Sequence, residues 1–427
     1  LDFYDPGQAN ERLQGKAMLQ NLLVRNLKRI LSKGNITLHL PDQSSVTLGD
    51  GEGKPVSVRL KNSRIVSRLI LNPELALGEG YMNGEITIDG DDLHGFLEIV
   101  VGNVEIEMPV WWMRAINNMR ILRRRFDQKN FASVSKRNVA HHYDLSGALY
   151  DLFLDQDRQY SCAYYTSPDD TLEQAQINKK NHIAGKLLLK PGMRVLDIGC
   201  GWGGTALSLA RDHGADVLGV TLSEEQHRIA TERANAEGLS DRVKFELRDY
   251  RDVTGRFDRI VSVGMFEHVG VPHYNEYFAK VQALLEPDGV ALIHTIGRCA
   301  PPDATNPWIA KYIFPGGYIP AMSEVLPAIE NAHLWLDDIE CWRLHYAKTL
   351  RHWFDRFQSN SDKAAEIYDE RFVRMWRFYL VASEQTFRFG RQAVFQFQIS
   401  RRQDAVPLTR NYLYETAPVS KLAHAAE

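Results

Sequence analysis

From about residue 190 the chain alternates between short apolar runs and amphipathic stretches, and this pattern constrains its fold more than any other feature. Strand candidates are Met193–Ile198, Ala215–Leu222, Arg242–Leu247, Phe257–Val263 and Gly289–Thr295. Helices fit between them at Gly204–His213, Ser223–Glu237 and Tyr274–Leu285. Two later strand candidates, Trp335–Arg343 and Ala393–Ser400, flank a long helical segment rich in Trp, Phe and Tyr. The spacing predicts an α/β fold built on a doubly wound, mostly parallel sheet.

The first strand runs into Asp197-Ile198-Gly199-Cys200-Gly201-Trp202-Gly203-Gly204 and a helix follows at once. Glycines there permit a tight turn and a close approach of backbone to a ligand at the carboxyl edge of the sheet. Gly199, Gly201 and Gly204 satisfy the dinucleotide pattern, so NAD is one reading. A dinucleotide site usually places an acid at the end of the second strand, and this strand ends Gly219-Val220-Thr221-Leu222-Ser223 without one. Asp197, just before the first glycine, instead suits a cationic ligand. S-adenosylmethionine, with its sulfonium and ammonium, is such a ligand. Asp249 after the third strand is placed for an adenine amino group, Tyr250 for flanking the ring, and Gln226 for ribose or adenine. Taken singly, each is as readily a polar residue at the end of an element.

Composition narrows the class. The 427 residues, 44% apolar and 25% charged, describe a globular chain of more than one domain. Lys+Arg 51 against Asp+Glu 54 gives a net charge of −3, which argues against a bulk nucleic-acid binder. Four cysteines without a CxxC pair make neither a disulfide scaffold nor a metal knuckle, and no metal is expected. Residues 1–105 read as a small α+β unit: a helix to about residue 33, then strands Ile36–Leu40, Val46–Leu48, Val56–Leu60 and Ile65–Ile70. Residues 106–137 read as a basic helix and linker. Between Val110 and Phe126 there are five arginines, no acid, and an apolar face of Trp111, Trp112, Met113, Ile116, Met119 and Leu122. Such a helix suits an anionic bilayer as well as it suits an interdomain connection. Residues 138–427 form the expected catalytic unit. No apolar stretch is long enough for a membrane span, and no signal peptide is visible; a cytoplasmic location with peripheral membrane attachment is the expectation.

Several segments together resemble the cyclopropane-fatty-acid synthases and their relatives, the mycolic acid cyclopropane synthases. They are Ala140-His141-His142-Tyr143-Asp144-Leu145-Ser146, Gln159–Tyr165, Val195–Gly203, Val220–Ser223, Met265-Phe266-Glu267-His268-Val269-Gly270, Ile293–Gly297, Ile313-Phe314-Pro315-Gly316-Gly317 and His345-Tyr346-Ala347-Lys348-Thr349-Leu350. The resemblance implies transfer of a methyl group from S-adenosylmethionine to a cis double bond of a phospholipid acyl chain, followed by closure of a three-membered ring. It implies a cofactor held by Tyr160, Ser161, the turn of Gly199, Gly201 and Gly203, Thr221, Leu222, Gln226 and Tyr250. It also implies a bound bicarbonate held by Cys162, Glu267, His294, Tyr346 and the backbone of Ile296. A phospholipid bilayer as partner, a lipid-interacting N-terminal domain and a homodimer are further implications.

The residue types suit that chemistry. An alkene is a weak nucleophile, so the sulfonium must be held in line. The resulting carbocation needs aromatic faces and an anion beside it, exclusion of water, and a base to remove a methyl proton. Each residue has a plainer alternative: Cys162 as a small buried hydrophobe, Glu267 as a helix start, His294 as a core histidine, Tyr346 as packing. Relatives carry a late cysteine near a Phe-Arg pair, whereas here Leu380–Arg388 has none, which argues against covalent cysteine catalysis. Rival functions are a lipid C-methyltransferase that leaves a methyl or methylene branch, an NAD-dependent oxidoreductase, and a non-catalytic lipid carrier.

Overall fold

The computed structural model describes residues 6–104, 119–121 and 147–414, with side chains from residue 14 onward. The segment Ala140–Ser146 and all but Met119, Arg120 and Ile121 of the basic stretch lie outside the described residues.

Two sheets form among the described residues. The first joins β1 (Ile36–His39), β2 (Ser45–Leu48), β3 (Val56–Leu60) and β4 (Ile86–Ile88) in the order β2-β1-β3-β4. The strand expected at Ile65–Ile70 is instead part of a helix, Ser63–Leu71. Its apolar residues come in pairs, Ile65-Val66 and Leu69-Ile70, which share one helical face; strict alternation would have spread them over both faces of a strand. The Asn62 side chain caps the helix by accepting from the Ile65 N–H at 3.0 Å. Arg68 then pairs with Glu79 and Glu85, which ties the helix to the next one (Pro73–Met82) and to the start of β4.

The second sheet contains β5 (Arg194–Ile198), β6 (Asp216–Thr221), β7 (Val243–Leu247), β8 (Phe257–Val263), β9 (Leu285–Arg298), β10 (Trp335–Trp342) and β11 (Gln392–Ser400). Its order is β10-β11-β9-β8-β5-β6-β7. Pairs β5/β6, β6/β7, β5/β8 and β8/β9 are parallel, while β11 runs antiparallel to both its neighbours. This is the expected doubly wound, mostly parallel sheet. Strands β5, β8 and β9 read as nearly continuous buried apolar runs because helices cover both faces. The Ser223 side chain caps the helix Glu224–Ala236, so the chain leaves β6 and turns at once toward the carboxyl edge.

The two parts share one apolar core. The long helix Glu370–Phe389 packs on helices Leu93–Val104 and Pro73–Met82. Arg374 Nε donates to the Tyr81 carbonyl at 2.8 Å, and the Tyr312 hydroxyl donates to Glu79 at 2.7 Å. Gly78 is where the surfaces come closest: a Cβ there would stand 2.4 Å from the Trp308 indole nitrogen. Trp308 is buried, and its indole N–H donates to the Met82 sulfur at 3.2 Å, one turn along the same helix, which holds the ring against Gly78. Gly78→Val is therefore expected to destabilise the chain by roughly 1–3 kcal/mol. A denaturation midpoint equal to that of the unchanged protein would contradict this close fit.

Candidate active site

The cavity opens at the carboxyl ends of β5, β6, β7 and β8, where a parallel sheet presents its loops. Ten of the expected cofactor residues line it: Tyr160, Ser161, Asp197, Gly199, Gly201, Thr221, Leu222, Gln226, Asp249 and Tyr250. Gly203 does not. It sits behind the turn with φ 83°, where a Cβ would lie 2.6 Å from the Phe245 ring, so it serves the backbone and the packing. Gly199 has the same φ, and a Cβ there would meet Met265 at 2.7 Å.

Each polar group in the cavity is held from behind. Thr221 Oγ1 donates to Gln226 Oε1 at 2.9 Å, which fixes both side chains. Asp249 accepts from Arg251 at 2.9 and 2.6 Å. Burial pushes the Asp249 carboxyl up, but the Arg251 contacts outweigh it and hold the group below its ordinary range. Asp197 is different: it is buried, and its Oδ2 has no hydrogen-bond partner among the described residues. Burial pushes it up to about 7, against the pull of the Lys179 ammonium. A buried carboxyl beside a cavity, with an oxygen unsatisfied, is suited to a cationic guest.

The other expected residues lie just beyond the cavity wall. Met265, His268 and Val269 line it; Glu267, between them, is buried and does not. Glu267 Oε1 accepts from the Ile296 N–H at 2.7 Å, and Oε2 is buried without a hydrogen-bond partner among the described residues. Burial pushes this carboxyl up to about 7, partly offset by the Ile296 contact. His294 lies two residues before Ile296 on β9, on the same face of the strand. Its Nδ1 meets Gln396 Nε2 at 3.1 Å, and burial, reinforced by Lys179 and Lys186, keeps the ring neutral. Burial likewise pushes the Cys162 thiol up, so it is no thiolate at neutral pH. Tyr346 packs on Trp353 and Phe387, and Trp353 stacks on Tyr160 with ring centroids 5.2 Å apart. Tyr160 in turn meets the Tyr379 hydroxyl at 2.9 Å. An aromatic wall thus connects the cavity to Tyr346. Of the Ile296 backbone, expected to help hold an anion, the N–H donates to Glu267 in this structure.

The structure adds residues that were not expected in the site. Met265 and His268, from the Met265–Gly270 segment, and Arg248 and Arg251, from no such segment, line the cavity. Gln159 and Thr205 lie on its floor, and Lys179 is buried beneath them. Lys179-Lys180 looks like a solvated pair on a helix, and only the fold shows both to be interior, Lys179 against Gln159 and Ser161 and Lys180 against Asp157. No group of three or more His, Cys, Asp or Glu side chains is gathered as a metal site among the described residues.

Comparison with known proteins agrees with this geometry. Residues 132–397 match the family model described as mycolic acid cyclopropane synthetase, and residues 22–106 match a domain of unknown function. The chain is 41% identical over 351 residues to the cyclopropane-fatty-acyl-phospholipid synthase of Escherichia coli, covering 81% of this chain and 88% of that one. It is 37% identical to a probable fatty acid methyltransferase of Pseudomonas putida, over 83% of this chain and 90% of the relative. A solved cyclopropane synthase of Mycobacterium tuberculosis superposes with a TM-score of 0.59 at 34% identity, covering 62% of this chain and 97% of that one. On a family model matched over residues 132–397 and 41% identity over 81% of its length to a curated relative, the chain belongs to the mycolic acid cyclopropane synthetase family, and so to the S-adenosylmethionine-dependent methyltransferases.

Proposed function

We propose that this enzyme transfers the methyl group of S-adenosylmethionine to a cis double bond in a phospholipid acyl chain and closes a cyclopropane ring. The observation that carries the reading is Glu267: a buried carboxyl held through one oxygen by Ile296, with its other oxygen unsatisfied, directly behind a cavity suited to a cationic nucleoside.

In this reading Asp197 receives the charged amino-acid end of S-adenosylmethionine, and Asp249, Tyr250, Leu222 and Gln226 receive its adenosine. The turn of Gly199 and Gly201 lets the backbone approach the ligand. The acyl chain approaches from the side of Tyr160 and Tyr346. Aromatic faces there stabilise a developing carbocation and exclude water. The donor set fits a small oxyanion: Glu267 offers Oε2, which donates when the carboxyl holds its proton; the Tyr346 hydroxyl also donates; His294 is held neutral; Cys162 offers a thiol. Bicarbonate bound among these groups would supply the base for the methyl proton. The N-terminal sheet and its helices would present the lipid at the inner face of a bilayer.

The test is incubation with vesicles of unsaturated phospholipid and S-adenosylmethionine. The expected product is acyl chains heavier by one CH₂ with the double bond lost. Absence of any heavier lipid would overturn the proposal. A second reading, a fatty-acid methyltransferase that leaves a branch, is favoured by the likeness to the probable fatty acid methyltransferase of Pseudomonas putida. A heavier chain that keeps its alkene would support that one.

A further inference from the structure

Lys179 lies in the helix Leu172–Lys186 and is fully buried beneath the cavity floor. A buried lysine is costly unless its charge is used or matched. Its Nζ donates to Gln159 Oε1 at 2.7 Å and to Ser161 Oγ at 2.8 Å, and both of these residues line the cavity. Gln159 in turn accepts from Thr205 Oγ1 at 3.3 Å, on the first turn of the helix that follows the glycines. A Cβ on Gly204 would stand 2.4 Å from Gln159 Nε2, so the glycine turn rests on this network. The charges in electrostatic reach of Lys179 are Asp155, Lys180, Cys162, Asp157, Asp197 and His294. Asp157 is itself matched by Lys180 and Arg233. Asp155 spends both oxygens on backbone N–H groups of its own loop. Asp197 is the one among these carboxylates that lines the cavity with an unsatisfied oxygen.

We propose that Lys179 is a positioning residue for one end of the bound S-adenosylmethionine: its ammonium fixes Ser161 and Gln159 on the wall of the cavity that Asp197 also lines, the carboxyl that receives the ligand's cationic amino-acid end. The adenosine end, at Asp249 and Tyr250 beyond β7, lies two strands away, about 10 Å by sheet spacing, and is served by other residues. Lys179 therefore discriminates between the two halves of the ligand. This inference rests on the reading of the cavity as an S-adenosylmethionine site.

The experiment is titration calorimetry of the full chain with S-adenosylmethionine and with 5′-methylthioadenosine, which lacks the amino-acid portion. Three proteins are compared: the unchanged chain, Lys179→Met and Lys179→Arg. Lys179→Met is expected to weaken S-adenosylmethionine at least about tenfold while leaving methylthioadenosine within twofold, and Lys179→Arg is expected to recover most of the loss. Equal weakening of both ligands, or no weakening of either, would overturn the proposal. If Lys179→Met is too unstable to titrate, Lys179→Arg and Ser161→Ala carry the same comparison, with the same split expected for Ser161→Ala. Failure of the unchanged chain to bind S-adenosylmethionine would instead overturn the cavity assignment itself.

Discussion

Glu267→Gln is expected to lower turnover by roughly a thousandfold or more, the scale of losing a preorganised group that contacts developing charge. Binding of S-adenosylmethionine should stay within about threefold, since Glu267 is not among the residues that line the cavity. The substitution is conservative in shape. The amide oxygen of Gln can still accept from the Ile296 N–H, so β9 keeps its contact with the loop after β8. What is lost is a group able to hold or release a proton near neutrality, which burial places at about 7 in Glu267. Initial rates on unsaturated vesicles, set beside calorimetric affinities, separate the two effects. Turnover within tenfold of the unchanged enzyme would remove Glu267 from the reaction.

Asp197→Asn should move affinity and stability in opposite directions. Loss of the charge weakens S-adenosylmethionine roughly 10–100-fold, the range for a hydrogen bond to an ionised partner. Stability moves the other way. Burial lifts this carboxyl from 3.8 to about 7 in the folded chain. The folded state thus keeps a proton that the unfolded state has released, and this favourable contribution is lost as pH rises from about 4 through about 7. Asparagine does not titrate, so the variant escapes that loss. Its unfolding free energy, followed by denaturation at each pH, should exceed that of the unchanged chain most at about pH 8, by on the order of a few kcal/mol, with the gap closing toward about pH 4. An unaltered affinity would show that Asp197 does not face the cation. A gap that widens on acidification would contradict its burial as an isolated acid.

Much of the second sheet was legible because its strands are interior and its helices cover both faces. Phe257–Val263 matches β8 residue for residue, and β5, β6, β7, β10 and β11 match within a residue or two at each end. The exception is β9, which runs from Leu285 to Arg298, well beyond the apolar stretch that marks it. Its ends are held by pairing with β8 and β11, a tertiary effect that hydropathy does not carry. In the N-terminal part the apolar residues of Ile65–Ile70 suited two periods, and Asn62, read as a turn residue, was the cap that decided for the helix. The residues that line the cavity were legible because glycines and strand ends have local signatures. The buried electrostatics were not. Nothing in the sequence distinguishes Lys179 from Lys180, and nothing in it shows that the Ile296 amide turns to Glu267.

The most direct test of the account uses S-adenosylmethionine with a fully deuterated methyl group. Methyl transfer to the alkene, followed by removal of one deuteron from that methyl, closes the ring. The lipid product should therefore carry two of the three deuterium atoms and no double bond. A product that retains all three would show that the methyl is never deprotonated, and would contradict ring closure at Glu267 and its neighbours.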